Sequence, residues 1–396
     1  MDNDFYIRKI TPEDVANVIY DTGFDKCYID KAVKKYKFSL IKIHNLTSPQ
    51  ASIIKQLALS VGGDAAVHRE VITCKIDKSD LLLGCTETQL RILAEKLSHQ
   101  PFSLSKISKL LLKQMDISLP SLNIRKNTFD WTKKTYIMGI LNITPDSFSD
   151  GGNFISLDKA INHAKEMIEA GADIIDIGGE TTKPFSQGTP DDIQLERIIP
   201  VLKKIREFSQ IPISIDTRSS IVAIECINNG ADVINDVSGF DYDREMLKTI
   251  AETQVPIIIM HSLTTPDKMQ IEPDYEKNII DEVFKSLYDK TKMAIEAGIK
   301  RENIIIDPGI GFGKTLEHNL EIIRRISEFK SLELPILVGV SRKSVISNIL
   351  NLPTQEREEA NIAIASYLAS NGANILRVHD VQKHTRALKV LDKIVK

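Results

Sequence analysis

The sequence predicts a (β/α)8 barrel, an α/β fold of the TIM-barrel type, preceded by a smaller α+β domain. Eight short runs rich in Ile and Val recur between residues 136 and 380, and amphipathic helical patterns separate them. Each run is too short for a typical helix and too apolar for a strand with one face in water, which indicates parallel strands buried on both faces. Eight strand–helix units in about 260 residues are typical of the barrel. A doubly wound open sheet normally has fewer units and is the second choice.

The first 120 residues are predicted to form the smaller domain, with strands at 4–10, 38–43, 67–76 and 80–85 and helices at 48–63, 86–97 and 102–115. A proline near its start and glycines at its end frame the first helix. Thr86 or Thr88 is expected to cap the second helix. Residues 121–134 are polar and show no sustained periodicity, so they are predicted to be a linker. Assembly, regulation and barrel stabilisation all stay open as roles for this domain, with assembly favoured.

The barrel domain is predicted over residues 135–396. In 157–172 and 357–373, apolar residues recur every three or four positions and a glycine stands near the end, as expected for helices between strands. The predicted strands are YIMGILNIT (136–144), ADIIDIGG (172–179), PISIDT (212–217), DVINDVS (232–238), PIIIMH (256–261), NIIIDPG (303–309), PILVGVS (335–341) and ILRVHD (375–380).

Composition narrows the class of protein. Of 396 residues, 42% are apolar and 27% charged, which is ordinary for a soluble protein with a substantial core. The 51 basic and 54 acidic residues give a formal charge of −3, so no overall basic field would attract nucleic acid. The amino terminus lacks a signal-peptide pattern, and no apolar run approaches the ~18 residues that span a bilayer. Four scattered cysteines favour a reducing cytoplasm over a disulfide framework or structural zinc.

Polar residues stand where the predicted strands end. Because barrel active sites lie at the carboxyl ends of the strands, we expect a shared pocket there rather than a set of independent helix caps. The residues are Asn142, Asp176, Asp216, Asn235, His261, Asp307, Ser341, Arg377 and His379.

Several motifs, in order, resemble those of dihydropteroate synthases. The longest is MGILNITPDSFSDGG (138–152), a strand followed by a polar loop suited to closing over a ligand. DIIDIGGETTKP, SIDT, INDVSG, IIMH, DPGIGFGK, GVSRKS and RVHD follow along the barrel. The resemblance implies condensation of 6-hydroxymethyl-7,8-dihydropterin diphosphate with para-aminobenzoate, with release of pyrophosphate.

The resemblance also implies how the pterin is held. Asp216, Asn235 and Asp307 supply the carboxylates and amide for its hydrogen-bonding edge, since a buried donor left unpaired costs ~1–3 kcal/mol. Met260 and Phe312 pack against the ring; spacing alone would place them in the core. Lys343 reaches the pterin oxygen and ring nitrogen. The implied substrate contacts also include Thr182, Lys183, Gly339 and Ser344.

An anionic leaving group requires cations nearby. Arg377 and His379 alternate along the eighth strand, so both are expected to face the barrel mouth. By resemblance they stabilise the departing pyrophosphate, with Asp216, Asp307 and Lys343 completing the catalytic set. Asn142 is implied to hold Mg2+ carried with the diphosphate, an ion that uses few protein ligands.

Two motifs depart from established patterns. The second loop has Thr181-Thr182-Lys183-Pro184-Phe185 where the family usually has Ser-Thr-Arg-Pro-Gly. Lys183 keeps the charge but lacks the two-pronged geometry of arginine, so aminobenzoate binding by this loop is expected to differ. In DPGIGFGKT, Pro308 and Lys314 stand where the P-loop and dinucleotide motifs require glycine, which argues against a nucleotide site.

Two rival functions stay open at this stage. A pterin-binding methyltransferase would need the Asp–Asn pocket but no diphosphate site. A catalytically inactive barrel that binds pterin for regulation would explain the altered second loop. The family resemblance further implies a homodimer acting on small molecules, and the composition predicts a cytoplasmic protein without nucleic-acid or membrane partners.

Overall fold

The structure, a computed structural model, describes residues 7–11, 14–143, 153–180, 188–263, 275, 278–341, 343–353 and 356–395, without the side chains of 153–156. The chain divides into two compact units, Met1–Ile117 and Ser118–Lys396. Within the described ranges, no helix is long and apolar enough to cross a membrane.

The first unit contains a three-stranded antiparallel sheet in the order β1-β3-β2, and buried apolar side chains of the strands and helices form its core. Its elements are α1 (Val15–Asp21), α2 (Ile29–Val33), β1 (Phe38–Thr47), α3 (Ser48–Ser60), β2 (Asp64–Val67), β3 (Lys78–Thr86), α4 (Glu87–Ser98) and α5 (Leu104–Lys113).

Most predicted elements of this unit are confirmed: β1, β3, α3, α4 and α5 lie where the patterns placed them. Thr86 caps α4 in a capping box with Gln89, in which each side chain bonds the other's backbone N–H. The strand predicted over 67–76 was wrong, because only Val67 belongs to β2 and a 3-10 turn follows at Arg69–Val71. Of the strand predicted over 4–10, residues 7–10 lie in no strand and 4–6 are outside the described residues.

The segment predicted as a linker, 121–134, instead contains a hairpin of β4 (Leu122–Ile124) and β5 (Asn127–Phe129). The buried side chains of Leu122, Ile124, Phe129 and Trp131 join a cluster with residues of the barrel strands. Strands of three residues are too short to show a period of two in the sequence, so this segment looked irregular. The hairpin belongs to the second unit and packs with the barrel, so this segment is not a linker.

The second unit is the predicted (β/α)8 barrel. Its eight strands pair in parallel in the order β11-β10-β9-β8-β7-β6-β13-β12, and a parallel bridge between Ile306 and Ile336 closes the ring. All eight predicted strands are confirmed: β6 (Tyr136–Asn142), β7 (Ile174–Gly178), β8 (Ile213–Asp216), β9 (Val233–Asp236), β10 (Ile257–Met260), β11 (Ile304–Asp307), β12 (Leu337–Gly339) and β13 (Ile375–Val378).

Helices pack around the barrel, and their apolar faces form one core with every second strand residue. The helices predicted at 157–172 and 357–373 correspond to α6 and α13. The helices are α6 (Asn153–Glu169), α7 (Asp191–Phe208), α8 (Ser220–Asn228), α9 (Glu245–Thr253), α10 (Ile279–Glu296), α11 (Leu316–Arg324), α12 (Ser344–Leu350), α13 (Glu358–Ser370) and α14 (Val381–Val395).

Candidate active site

The barrel interior has an apolar floor beneath a largely polar layer. The floor combines the β4–β5 hairpin with inward residues of the strands, among them Ile174, Val233, Ile258, Ile305, Leu337 and Ile375. Side chains two positions apart along a strand point the same way, so the next inward layer lies nearer the carboxyl ends. That layer consists of Asp176, Asn235, Met260, Asp307, Gly339 and Arg377. Alternation along each strand thus builds the pocket expected at this end of the barrel.

Arg377 is the centre of this layer. Its Nε donates to Oδ2 of Asp176 over 2.7 Å, and its Nη2 donates to Oδ2 of Asp216 over 2.6 Å. Asn235 Nδ2 donates to the same Asp176 oxygen at 3.3 Å. The other oxygen of Asp176, Oδ1, is buried without a hydrogen-bond partner among the described residues. Four side chains from four strands are therefore joined into one network, and one acceptor within it is still available.

Burial in this layer changes the protonation of Asp216. Burial raises the pKa of Asp216 to about 7, opposed by the Arg377 charge and reinforced by the charges of Asp176 and Glu180. At neutral pH this carboxyl exists in both the protonated and the ionised form. It is thus able to donate or accept a hydrogen bond.

Another side of the pocket, next to the Arg377 network, consists of Asp307, Met260, Lys343 and Phe312. Met260 and Asp307 are register partners at the ends of β10 and β11, and Asp307 Oδ1 accepts from the Gly309 amide at 2.8 Å. Burial raises the pKa of Asp307, opposed mainly by Lys343. The Lys343 ammonium lies 4.3 Å from the centroid of the Phe312 ring, a cation–π arrangement. Burial lowers the pKa of Lys343 to about 8, although Asp307 opposes the shift.

Arg377 and His379 meet Ser341 and Gly339 where β12 and β13 end. Gly339 is the register partner of Arg377, and a Cβ on this glycine would lie 3.6 Å from Cβ of Arg377. His379 Nδ1 lies 3.0 Å from the Ser341 hydroxyl oxygen, which also accepts from the His379 amide at 3.4 Å. Ser344, the remaining residue implied by the resemblance in this region, is the first residue of α12.

Asn142 ends β6 with its side chain exposed, in register with Gly178. A Cβ on Gly178 would lie 3.2 Å from Oδ1 of Asn142 and 3.7 Å from Cβ of Asp216. The Asn142 amide oxygen and the Asp216 side chain therefore both border the space that Gly178 leaves unfilled. A neutral oxygen donor beside a carboxylate fits a hard cation such as Mg2+, which retains several waters.

Two predicted site residues, Thr182 and Lys183, and the first loop, 144–152, lie outside the described residues. Glu180, which precedes the second loop, is described and forms a buried ion pair with Arg218. Arg218 Nη2 and Nε donate to the two carboxylate oxygens of Glu180 at 2.8 and 3.2 Å. Glu180 Oε1 also accepts from the Thr189 amide at 3.2 Å. One carboxylate thereby links the residues before and after positions 181–187.

Among the other strand-end residues, His261 was expected in the shared pocket, but its ring instead binds Lys314. Its Nδ1 accepts from the Lys314 ammonium at 2.9 Å. Burial, together with the charges of Lys314 and Lys290, holds the pKa of His261 well below its usual range, so the ring is neutral. Its ring nitrogen thus binds a lysine of the same protein.

Sequence reasoning missed three parts of this arrangement. Asp176 was found at a strand end but received no role, although alternation with Arg377 and Asp216 would have placed it inside the barrel. Lys314 was considered only as a mismatch to nucleotide motifs. No sequence signal pairs Glu180 with Arg218, which lie 38 positions apart.

The fold and the site define a (β/α)8-barrel enzyme with a small-molecule pocket at the carboxyl ends of its strands. Comparison with known proteins specifies the class: the family described as pterin binding enzyme matches residues 138–379. The chain belongs to this family, and within it to the dihydropteroate synthases, transferases of folate biosynthesis.

Three relatives illustrate this membership. The dihydropteroate synthase of Clostridium beijerinckii is 44% identical over 276 residues, covering 69% of this chain and 100% of the relative. The crystal structure of that enzyme from Clostridium difficile in the presence of pteroic acid is 45% identical, with a TM-score of 0.64, and the match covers 68% of this chain and 100% of that one. The Xanthomonas albilineans enzyme with 4-aminobenzoic acid is 32% identical, with a TM-score of 0.64 and coverage of 70% and 98%.

Proposed function

We propose that this chain condenses 6-hydroxymethyl-7,8-dihydropterin diphosphate with para-aminobenzoate, giving 7,8-dihydropteroate and pyrophosphate, and that the pocket around Arg377 performs the reaction. The observation that carries the assignment is the Arg377 network with Asp176 and Asp216, which places paired carboxylates and a cation in one buried pocket. Relatives solved with pteroic acid and with 4-aminobenzoic acid support the choice of substrates.

The pterin ring is held by the polar layer of the barrel. Asp216, Asn235 and Asp307 supply carboxylate and amide groups to its guanidine-like edge. Met260 and Phe312 pack against the ring, and the Lys343 ammonium donates to the ring oxygen and a ring nitrogen. Each polar contact matters because a buried donor without a partner costs about 1–3 kcal/mol.

The diphosphate faces Arg377 and His379 at the end of β13. The Arg377 charge is fixed by Asp176 and Asp216 before substrate binds, so little reorganisation is needed as the leaving group gains charge. Asn142 would hold Mg2+ beside this position, and the ion supplies positive charge that neutralises pyrophosphate.

The bond between the pterin methylene carbon and the diphosphate oxygen breaks, and its electron pair leaves with pyrophosphate. The aminobenzoate nitrogen donates its electron pair to that carbon and then loses a proton to solvent. Positive charge develops on the ring in between, and the carboxylates of Asp216 and Asp307 stabilise it. Because the amine is already nucleophilic, positioning and electrostatics provide most of the acceleration.

The second loop contributes Thr182 and Lys183 to aminobenzoate binding in this proposal. The single charge of Lys183 attracts the carboxylate of aminobenzoate but lacks the two-pronged contact of arginine. We expect Lys183→Arg to lower the KM for aminobenzoate while leaving the KM for the pterin substrate unchanged.

Pyrophosphate release, measured with and without para-aminobenzoate, tests the proposal. Release that depends on aminobenzoate is the expected result. Pterin binding without release would favour the inactive regulatory barrel. Methyl transfer from a methylated folate, with no pyrophosphate formed, would favour the methyltransferase.

We further propose that the chain acts in the cytoplasm as a homodimer and that residues 1–120 contribute to assembly. Sedimentation of the full chain against a chain beginning at Ser118 tests the assembly role, since Ser118 opens the second compact unit. We expect the full chain to sediment with the mass of a dimer and the shorter chain with the mass of a monomer, and dimers of both chains would contradict the proposal.

A further inference from the structure

Lys314 is a buried lysine that the proposed reaction does not use. Only 7% of this residue is exposed, and its ammonium donates to the carbonyl oxygens of Gly309 and Phe312 at 2.9 and 3.0 Å. It also donates to Nδ1 of His261 at 2.9 Å and approaches the His261 carbonyl oxygen at 3.3 Å. Two of these acceptors belong to the loop that follows β11 and two to the residue that follows β10.

The loop that Lys314 bonds is wound tightly by alternating glycines. Gly309, Gly311 and Gly313 have φ values of 70°, 82° and 60°, in the left-handed region that favours glycine. A Cβ on Gly309 would lie 1.9 Å from the His261 carbonyl oxygen, so no other residue fits there. Two carbonyl oxygens of this loop accept from the amine of Lys314, although burial lowers the pKa of this lysine.

The same loop forms one wall of the pocket. Phe312 lies between two of the glycines, and its ring is 4.3 Å from the ammonium of Lys343. Lys343 also donates to the carbonyl oxygen of Ile310. Loop shape therefore determines the position of the Phe312 ring and, through Ile310, of the Lys343 ammonium.

We propose that Lys314 is a positioning residue for pterin binding. Its hydrogen bonds to carbonyl oxygens of the loop and of His261 fix the shape of the loop, and the loop in turn fixes Phe312 and Lys343 against the pterin ring. This inference rests on the proposed function, because it assumes that Phe312 and Lys343 contact the pterin. This use of Lys314 agrees with the mismatch of DPGIGFGKT to the nucleotide-binding motifs. In a phosphate-binding loop the lysine contacts the phosphate, whereas Lys314 donates to carbonyl oxygens of its own loop.

Lys314→Met removes the ammonium and keeps an apolar stem in the buried site. Its control is Lys330→Met, since the Lys330 side chain lies against Gly372, just ahead of β13 and at the end of the barrel opposite the pocket. For Lys314→Met, we expect kcat/KM for the pterin substrate to fall about 10- to 100-fold, while the KM for aminobenzoate changes by less than about twofold. The control retains wild-type values of both.

A double-mutant cycle with Phe312→Ala distinguishes positioning from general destabilisation. If Lys314 acts through Phe312, adding Lys314→Met to Phe312→Ala changes pterin affinity much less than it does in the wild type. Equal effects in both backgrounds would overturn the proposal. Should Lys314→Met not fold, Lys314→Gln, which retains a shorter neutral donor, replaces it in the cycle.

Amide hydrogen exchange over residues 308–315 provides a readout that does not require turnover. Exchange in this segment should accelerate in Lys314→Met and not in Lys330→Met. Unchanged exchange, or faster exchange with unchanged pterin affinity measured by calorimetry, would overturn the positioning role. Absence of aminobenzoate-dependent pyrophosphate release in the wild type would instead refute the proposed function, whatever the exchange result.

Discussion

Arg377 and Asp216 are 161 positions apart in the chain, and Nη2 of the arginine lies 2.6 Å from Oδ2 of the aspartate. The partners come from β13 and β8, and Asp176 on β7 binds the same guanidinium. The pair is largely buried, with 19% and 9% of the two side chains exposed. Removing one partner of such a pair leaves the charge of the other uncompensated.

Asp216→Asn should abolish turnover while leaving the fold intact. The amide keeps the shape of the side chain but removes the charge that pairs Arg377 and, in the proposed reaction, stabilises the cationic ring, so we expect a loss of at least about 100-fold in kcat. Pyrophosphate release measures the effect, and circular dichroism verifies folding. Asp158→Asn, an exposed change in α6, serves as the control. Near-normal activity of Asp216→Asn would show that Asp216 does not anchor the pterin.

Asp216 should also impose a pH dependence on stability. Its pKa rises from an ordinary value of 3.8 to about 7 on folding, so the native state holds a proton that the unfolded chain releases in this window. The stability of the wild type relative to Asp216→Asn is therefore greatest below pH 3.8, falls as pH rises to about 7, and is constant above that. Thermal melts of both proteins across this range test the sign, and a relative stability that rose with pH would contradict it.

Lys343 should set an alkaline limit on activity. Because burial lowers the pKa of Lys343 to about 8, the ammonium is lost above that pH, and with it the proposed hydrogen bonds to the pterin. The pH profile of kcat/KM for the pterin substrate is expected to fall with an apparent pKa of about 8. We expect Lys343→Arg to be less active than the wild type. Because arginine keeps its charge at higher pH, the kcat/KM of this variant should not show the alkaline fall. Persistence of the same limb in the arginine variant would assign it to another group.

The sequence predicts the features of this fold that local residue patterns encode, and it does not predict those that depend on contacts formed only in the folded chain. The eight barrel strands were predictable because strands buried on both faces are apolar runs, and Asp216, Asn235, Asp307 and Arg377 stand out as polar residues where such runs end. The β4–β5 hairpin was not, because its strands have three residues each. The role of Lys314 depends on where carbonyl oxygens of a folded loop point, which side-chain patterns do not encode.

Removal of Mg2+ should lower activity, with Asn142 as the described residue that responds. EDTA is expected to suppress pyrophosphate release, and added Mg2+ should restore it. Asn142→Ala removes the amide oxygen beside Gly178 and should raise the Mg2+ concentration needed for half-maximal rate. Asn229→Ala, at the end of α8 and away from the strand ends, provides the comparison. Identical Mg2+ titrations of Asn142→Ala and the wild type would exclude Asn142 as a ligand.

Arg125→Ala should separate stability from activity, because Arg125 lies in the β4–β5 hairpin below the barrel floor. Its guanidinium donates to Asp232 at 2.5 Å, to Gln210 at 3.2 Å and to the Gly230 carbonyl at 3.1 Å, which ties the hairpin to the barrel. Hydrogen bonds to charged groups contribute about 1.5–3 kcal/mol each, but Arg206 also pairs with Asp232 and retains it, so a total loss of about 1–3 kcal/mol is expected. Denaturant unfolding measures the loss, and kcat should stay at the wild-type value since the catalytic layer lies at the opposite end of the strands. A fall in kcat without a fall in stability would mean that the hairpin influences the pocket directly.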